Sequence, residues 1–362
     1  MKKSARNSVI ASLAVLLALG AAAGFIVGRK YVDRKLPNFS GGMEIYVYPK
    51  MNALDIVEEL VDSGIVIRPR SLERAFREEG LLPISPEASR IQPGHYTIST
   101  SNTSTYVARM LKGGWQTPVN LVISGAIRKR GDLARKISRQ MLLDSADVMA
   151  ALKDSALLAG YGFTPENVFG LIIPDTYEVY WTDSMQTILD KNKAALDAFW
   201  TEENKAKAKA QGLTPSEVAI LASIVRGESN YVPEYPKIAG VYLNRLHKGM
   251  KLQADPTIAF CYDYTLNRIY RKHLTIDSPY NTYRNAGLPP APIYAPGRAA
   301  MNAVLNPQGE NYLFFCASPE FNGSHNFAAT YQEHLRNARA YVQALNKRTR
   351  EREAAGKWGC SD

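Results

Sequence analysis

The sequence predicts an α+β protein carried behind one N-terminal membrane-spanning helix. Three observations predict it. Lys2, Lys3 and Arg6 precede an uncharged run from Asn7 to Gly28, and about 20 such residues cross a bilayer as a helix. Beyond it, short segments of period-2 hydrophobicity alternate with amphipathic helical ones. The 362 residues are 46% hydrophobic and 22% charged, which is globular composition and excludes disorder along the whole chain.

The apolar run has a rival reading as a cleaved signal peptide ending near Ala21-Ala22-Ala23. It is longer than a signal core, which favours an anchor. Arg29, Lys30, Arg34 and Lys35 make the far flank basic as well, so flanking charge does not set the orientation.

The net charge is +10, but it lies at the ends. The first 35 residues hold seven basic residues against one acid, and residues 336–362 hold seven against three. The 300 residues between carry 30 of each sign. A nucleic-acid-binding domain needs its Lys and Arg clustered on a folded face, so no nucleic-acid partner is expected. The three cysteines, Cys261, Cys316 and Cys360, show no ligand spacing with His, so neither a metal site nor a cofactor is expected. Cys261 and Cys316 either pair or remain separate core thiols, and Cys360 belongs to a loose basic tail, 346–362.

The elements follow in order. Residues 1–30 are the N-terminus and spanning helix, and 31–42, with Pro37, Gly41 and Gly42, read as a linker. Met43–Tyr48 alternates like a strand. Asn52 caps a helix to Ser63 with Leu54, Val57, Leu60 and Val61 on one stripe. A second helix starts at Ser71, Pro93–Ile98 turns into a strand, and a helix covers Thr105 to Leu111. The pattern then restarts with a strand at Pro118–Ile123 and a helix at Arg130–Met141. Residues 43–160 therefore read as a small α+β module with a partial second copy. The six basic residues between Arg128 and Arg139 fit a solvated helix face or a site for an anionic polymer.

Phe169–Ile173 reads as an apolar strand entering a turn, and Ser184 to about Gln211 as one polar helix. Thr214-Pro215-Ser216-Glu217 is a helix start, with Thr as cap, Pro at the first position and Glu completing a capping box. Val218 to Val225 is apolar all round except Ser223, the mark of a buried helix. Glu228, near its end, shares a face with Leu221 and Ile224. A carboxyl at the mouth of an apolar surface has a raised pKa, which suits a general acid. The structural alternative is a helix-end Glu paired with Arg226 or an amide.

Lys237–Leu246 is a further helix closed by Lys248-Gly249, and Leu252–Thr257 a turn. Four prolines (Pro289, Pro290, Pro292 and Pro296) stiffen the loop that follows. Leu313–Ala317 reads as a buried strand, and His325 as a loop residue, structural or in a site.

From Leu221 to Asn337 the chain carries a series of short motifs, beginning with Ala222-Ser223-Ile224-Val225-x-x-Glu228, Tyr242-Leu243-Asn244-Arg245-Leu246 and Leu252-Gln253-x-Asp255-Pro256-Thr257. Tyr280-Asn281-Thr282-Tyr283, Gly287-Leu288-Pro289-Pro290-x-Pro292-Ile293, Pro296-Gly297 and Gly323-x-His325-x-Phe327 complete the series. In this order, with Pro174–Tyr177 upstream, they resemble the motifs of the YceG-like endolytic murein transglycosylases. The resemblance implies an anchor, a LysM-like module over 43–160 and a mixed α+β catalytic domain over 161–345. It implies an inner-membrane enzyme with its body in the periplasm, peptidoglycan strands as substrate and cell-wall synthesis proteins as candidate partners. The reaction would cleave the MurNAc–GlcNAc β-1,4 bond inside a strand and leave a 1,6-anhydro-MurNAc end. Glu228 takes the catalytic place, while Gln253, Asp255, Asn281, Tyr283 and His325 would orient the sugars.

Three departures from the family pattern stand out. Arg226 replaces the first Glu of the family's E-x-E pair, and Ala291 and Ala295 replace its usual Gly and Asn. Two other functions remain open at this stage: a hydrolytic muramidase using Glu228 with Asp255, and a non-catalytic wall-binding membrane protein.

Overall fold

The structure is a computed structural model that describes residues 2–83, 91–309 and 311–358, with side chains described from residue 10 to residue 352 of these ranges. It is mixed α and β, and it divides into two compact units. The first is Met1–Asn120 with Glu178–Asp183, and the second is Leu121–Tyr177 with Ser184–Asp362.

In the first unit α1 (Lys2–Lys35) contains one stretch, Ile10–Lys35, long and apolar enough to cross a membrane. Its apolar side chains are bare: Leu16 and Val27 are 65% and 66% exposed. The expected linker is not loose. The helix continues to Lys35, and Asp33, buried, accepts hydrogen bonds from Arg74 Nη2 at 2.6 Å and Nε at 3.0 Å. Asn38, also buried, donates to Ser104 Oγ at 2.8 Å. Buried polar groups must be paired, and this pairing fastens 31–42 to the unit.

β1 (Met43–Val47) and β2 (Gly94–Ile98) pair antiparallel, Met43 opposite Ile98, with α2 (Ala53–Asp62) and α3 (Pro69–Glu78) between them in sequence. Asn52 caps α2 through a complete capping box. The buried face of α2 is Ala53, Ile56, Val57 and Leu60, while Leu54 is exposed, so the stripe lies one position round from the predicted one. Pro69 opens α3 two residues before the predicted start, as a proline at the first helical position does. α4 (Ser104–Gly113), capped by Thr103, completes the core.

β3 (Val119–Ile123), α5 (Arg130–Ser138), α6 (Ser145–Ala151), α7 (Ser155–Ala159) and β4 (Asp175–Val179) repeat a strand–helix–strand order, and β3 pairs with β4. The unit boundary falls at Asn120 and not near 160, because α5 packs on α6 and α6 on α8 (Met185–Phe199). The expected strand at Phe169–Ile173 is absent. Val168–Gly170 is a 3-10 turn, and the strand starts at Asp175. Leu171, Ile172 and Ile173 are buried all the same, and a short apolar run looks alike in either setting. The single polar helix is two, α8 and α9 (Glu202–Ala210), because Thr201 caps a new start.

α10 (Pro215–Glu228) is the buried spine of the second unit. It has the predicted capping box and packs on α11 (Tyr235–His247), α12 (Asp255–Cys261) and α13 (Gly297–Leu305). β5 (Phe314–Ala317) and β6 (His325–Ala328) form a hairpin against α14 (Tyr331–Trp358). Three readings change here. β5 is only half-buried, and His325 opens a strand instead of sitting in a loop. The basic stretch beyond 346 continues α14 as far as Trp358 instead of hanging free. Cys261 and Cys316 are free thiols, and Cys360 lies outside the described residues.

Candidate active site

Ser223, the one polar residue in the apolar stretch of α10, donates to Ile220 O at 2.6 Å. It also receives the Ile293 N–H at 3.0 Å. That second bond pins the proline-rich loop to the helix. Five residues further on, Glu228 ends the helix and reaches an open cavity of about 650 Å³. A side chain at Gly227 would put its Cβ 2.7 Å from Pro256 Cβ, so only glycine lets α12 approach the glutamate this closely.

Tyr242, on α11, donates a short hydrogen bond from Oη to Glu228 Oε1. Among the described residues Oε2 has no hydrogen-bond partner. Burial raises the Glu228 pKa from the ordinary 4.5 to about 7. The Tyr242 bond and nearby Arg245 oppose that rise, and nearby Asp255 adds to it. Desolvation wins, since the charged form loses more water than one hydrogen bond returns. The result is a carboxyl balanced between its two states near neutrality. Arg226 is not its partner. The Arg226 guanidinium bonds Tyr235 Oη at 2.9 Å and Asn230 Oδ1 at 3.2 Å, bracing the turn after the helix.

Arg245 lies three residues along the same face from Tyr242. It donates to Leu313 O at 2.7 Å and Leu252 O at 2.6 Å, tying the hairpin and the 252–257 segment to α11. Phe315 packs edge-on between the Tyr242 ring (6.0 Å) and the His325 ring (5.4 Å).

The predicted site residues do not all meet. His325 lines the Glu228 cavity. Glu234 holds it from behind, with Oε2 2.8 Å from Nδ1 and Oε1 2.9 Å from the backbone N–H. A carboxylate accepts only, so Nδ1 donates and Nε2 is left for a ligand. Asp255 and Tyr283 form a pair beside that cavity but are not part of its lining: Tyr283 Oη donates to Asp255 Oδ1 at 2.6 Å. Burial and that acid hold the Tyr283 hydroxyl well above its usual pKa. The Thr282 hydroxyl, bonded to Ala254 N and Thr257 Oγ1 at 2.9 Å each, brings their two segments together.

Asp255 is the first residue of α12, not a turn residue. Gln253 is exposed at a left-handed φ of 51°. Asn281 contradicts its expected role. It is fully buried, donating to Leu274 O and Ile276 O and accepting from Tyr283 N. All its polar atoms serve the loop, so it positions Tyr283 and cannot touch a sugar in this conformation.

Two residues that matter here are absent from the predicted set. Tyr242 stands in a quoted motif, but its link to Glu228 depends on how two helices cross. Glu234 sits between Pro233 and Pro236 and meets a histidine 91 positions later, a pairing with no local signal.

Fold and site together define a mixed α+β protein built round one helix-end carboxyl in a polar cavity. The YceG-like family profile matches residues 45–340, and the chain belongs to that family. An endolytic murein transglycosylase of Bacillus subtilis (strain 168) is 33% identical over 179 residues, 49% of each chain. One from Streptococcus pneumoniae serotype 2 is 24% identical over 371 aligned residues, 93% of this chain and 66% of that one. The chain thus spans about half of the first relative's length in the matched stretch and just under two thirds of the second's. The crystal structure of a YceG-like protein from Listeria monocytogenes superposes with a TM-score of 0.51 at 24% identity, covering 82% of this chain and 98% of that one. That likeness concerns the fold alone.

Proposed function

We propose that the protein is a membrane-anchored endolytic lytic transglycosylase that cuts the MurNAc–GlcNAc β-1,4 bond within peptidoglycan strands. The carrying observation is Glu228: a single carboxyl, its pKa raised to about 7, with one oxygen held by Tyr242 and the other unengaged. Protonated Glu228 gives its proton to the leaving O4 oxygen as the glycosidic bond breaks. The same carboxylate then takes the proton of the C6 hydroxyl as O6 bonds to C1, closing the 1,6-anhydro ring. No water enters, and Glu228 ends the cycle protonated. One group serving as acid and then base needs both states accessible near the working pH.

Support against a two-carboxylate hydrolase comes from the lining. Among the described residues of the cavity, Glu228 is the only carboxylate, and a hydrolase needs a second acid facing the same bond. His325 Nε2 is read as a donor or acceptor to the sugar, and the Asp255–Tyr283 pair and Gln253 as contacts further along the strand.

The first unit is read as a LysM-like wall-binding module, supported by its strand–helix–helix–strand order. Tyr46 and Tyr48, both exposed and edge-on to Trp181, offer a surface for sugar stacking. α1 is read as the anchor, with the body on the periplasmic side of the inner membrane and cell-wall synthesis proteins as partners. The test is digestion of purified peptidoglycan: wild type releases soluble muropeptides and Glu228→Gln, still folded, releases none. Full release by that variant refutes the reading.

A further inference from the structure

The Glu228 cavity is partly walled by α14, through Tyr341 and Arg348. Both residues lie beyond the stretch that the family profile matches, which stops at 340. The Arg348 guanidinium sits 4.8 Å over the Phe321 ring, and Phe321 packs 5.7 Å from the Tyr341 ring. The next residue back, Lys347, pairs with Glu351 at 4.0 Å, whereas no described carboxylate pairs with Arg348. A guanidinium held over an aromatic face by its cation–π contact keeps N–H groups available for a second partner. Those groups match a carboxylate in two-pronged fashion, which the ammonium of a lysine does not.

The proposed substrate supplies a carboxylate close to its scissile bond. The muramyl ring that yields the anhydro end carries a lactyl group on O3, within one sugar of the bond that Glu228 would break. In strands without stem peptides that group is a free carboxylate. In stem-bearing strands it is an amide, and the carboxylates lie further out on the peptide. A cavity of about 650 Å³ holds a sugar with such a substituent.

We propose that Arg348, seated on Phe321, is a carboxylate-binding subsite of the Glu228 cavity that grips the acidic substituent of the muramyl residue. The inference rests on the reading of this cavity as a muramyl-glycan site. It makes α14 a specificity element for strand chemistry and not merely a closing helix.

Calorimetric binding to the Glu228→Gln protein tests it, with and without Arg348→Ala, using three muramyl oligosaccharides. One is free of stems, one has its lactyl carboxyls converted to neutral amides, and one bears full stems. Arg348→Ala is expected to weaken binding about tenfold for the stem-free ligand and to change the amidated one little, with Arg348→Lys recovering part of the loss. A loss confined to stem-bearing ligand also supports the subsite and assigns the carboxylate to the peptide. Equal loss on the amidated ligand, or no loss on any, overturns the proposal. Failure of the wild type to cleave any strand, with the charge-dependent binding intact, would count against the cleavage reading and not against the subsite.

Discussion

The hydroxyl of Tyr242 donates to Oε1 of Glu228, joining the middle of one buried helix to the end of another. The bond leaves one carboxyl oxygen unengaged and stabilises the charged form against the desolvation that raises the pKa to about 7. Replacing Tyr242 by Phe keeps the ring and removes the bond. The Glu228 pKa then rises further, by about one unit. The alkaline limb of kcat/KM, expected near pH 7 for wild type, moves up in Tyr242→Phe, and a pH–rate profile reads it. A limb that stays or moves down contradicts this role.

The raised carboxyl has a stability signature. Unfolded, Glu228 titrates near 4.5; folded, near 7. Between those values the folded state holds a proton that the unfolded state lacks, so stability contributed by this group falls as pH rises from about 4.5 to 7. Glu228→Gln removes that slope. Urea unfolding should find the two proteins alike near pH 4.5 and the variant more stable above pH 7, by up to about 3 kcal/mol. A constant difference across the range would mean that the carboxyl is not raised.

Glu234 is 7% exposed and both its oxygens bond His325. Glu234→Ala strips the backbone N–H and the ring of partners, a cost of about 1–3 kcal/mol. It also frees the ring to turn. Thermal unfolding should drop, and activity should fall more than stability accounts for. Activity equal to wild type would make the pair structural only.

Asp33 places a test near the C-terminal end of α1. Removing residues 1–28 keeps its contacts with Arg74 and Ser71, whereas Asp33→Ala in that shortened protein leaves Arg74 without its acid. The loss should be about 2–4 kcal/mol, read by denaturant unfolding. No loss would return residues 31–42 to the status of a free linker.

Much of the fold, including the helix that carries Glu228 into the candidate site, is legible in local patterns. The Thr214 capping box, the all-apolar run of α10 and the final Glu228 follow from spacing alone, and the structure keeps each. Weaker signals are ambiguous. Leu171, Ile172 and Ile173 form an apolar run that is buried without being a strand. The reading of 31–42 as a linker fails for another reason. Pro37, Gly41 and Gly42 do mark irregular backbone, but composition does not reveal that Asp33 and Asn38 find partners 30 to 66 positions away. Asn281 is misleading on the same ground, since an Asn that braces a loop and one that greets a ligand look identical in sequence.

The central claim is that Glu228 acts as acid and then base without admitting water. Mass spectrometry of the ends released from purified peptidoglycan by the wild-type protein tests it most directly. Muramyl ends in the 1,6-anhydro form are the expected result. Reducing ends, heavier by one water, would contradict the account and point to hydrolysis.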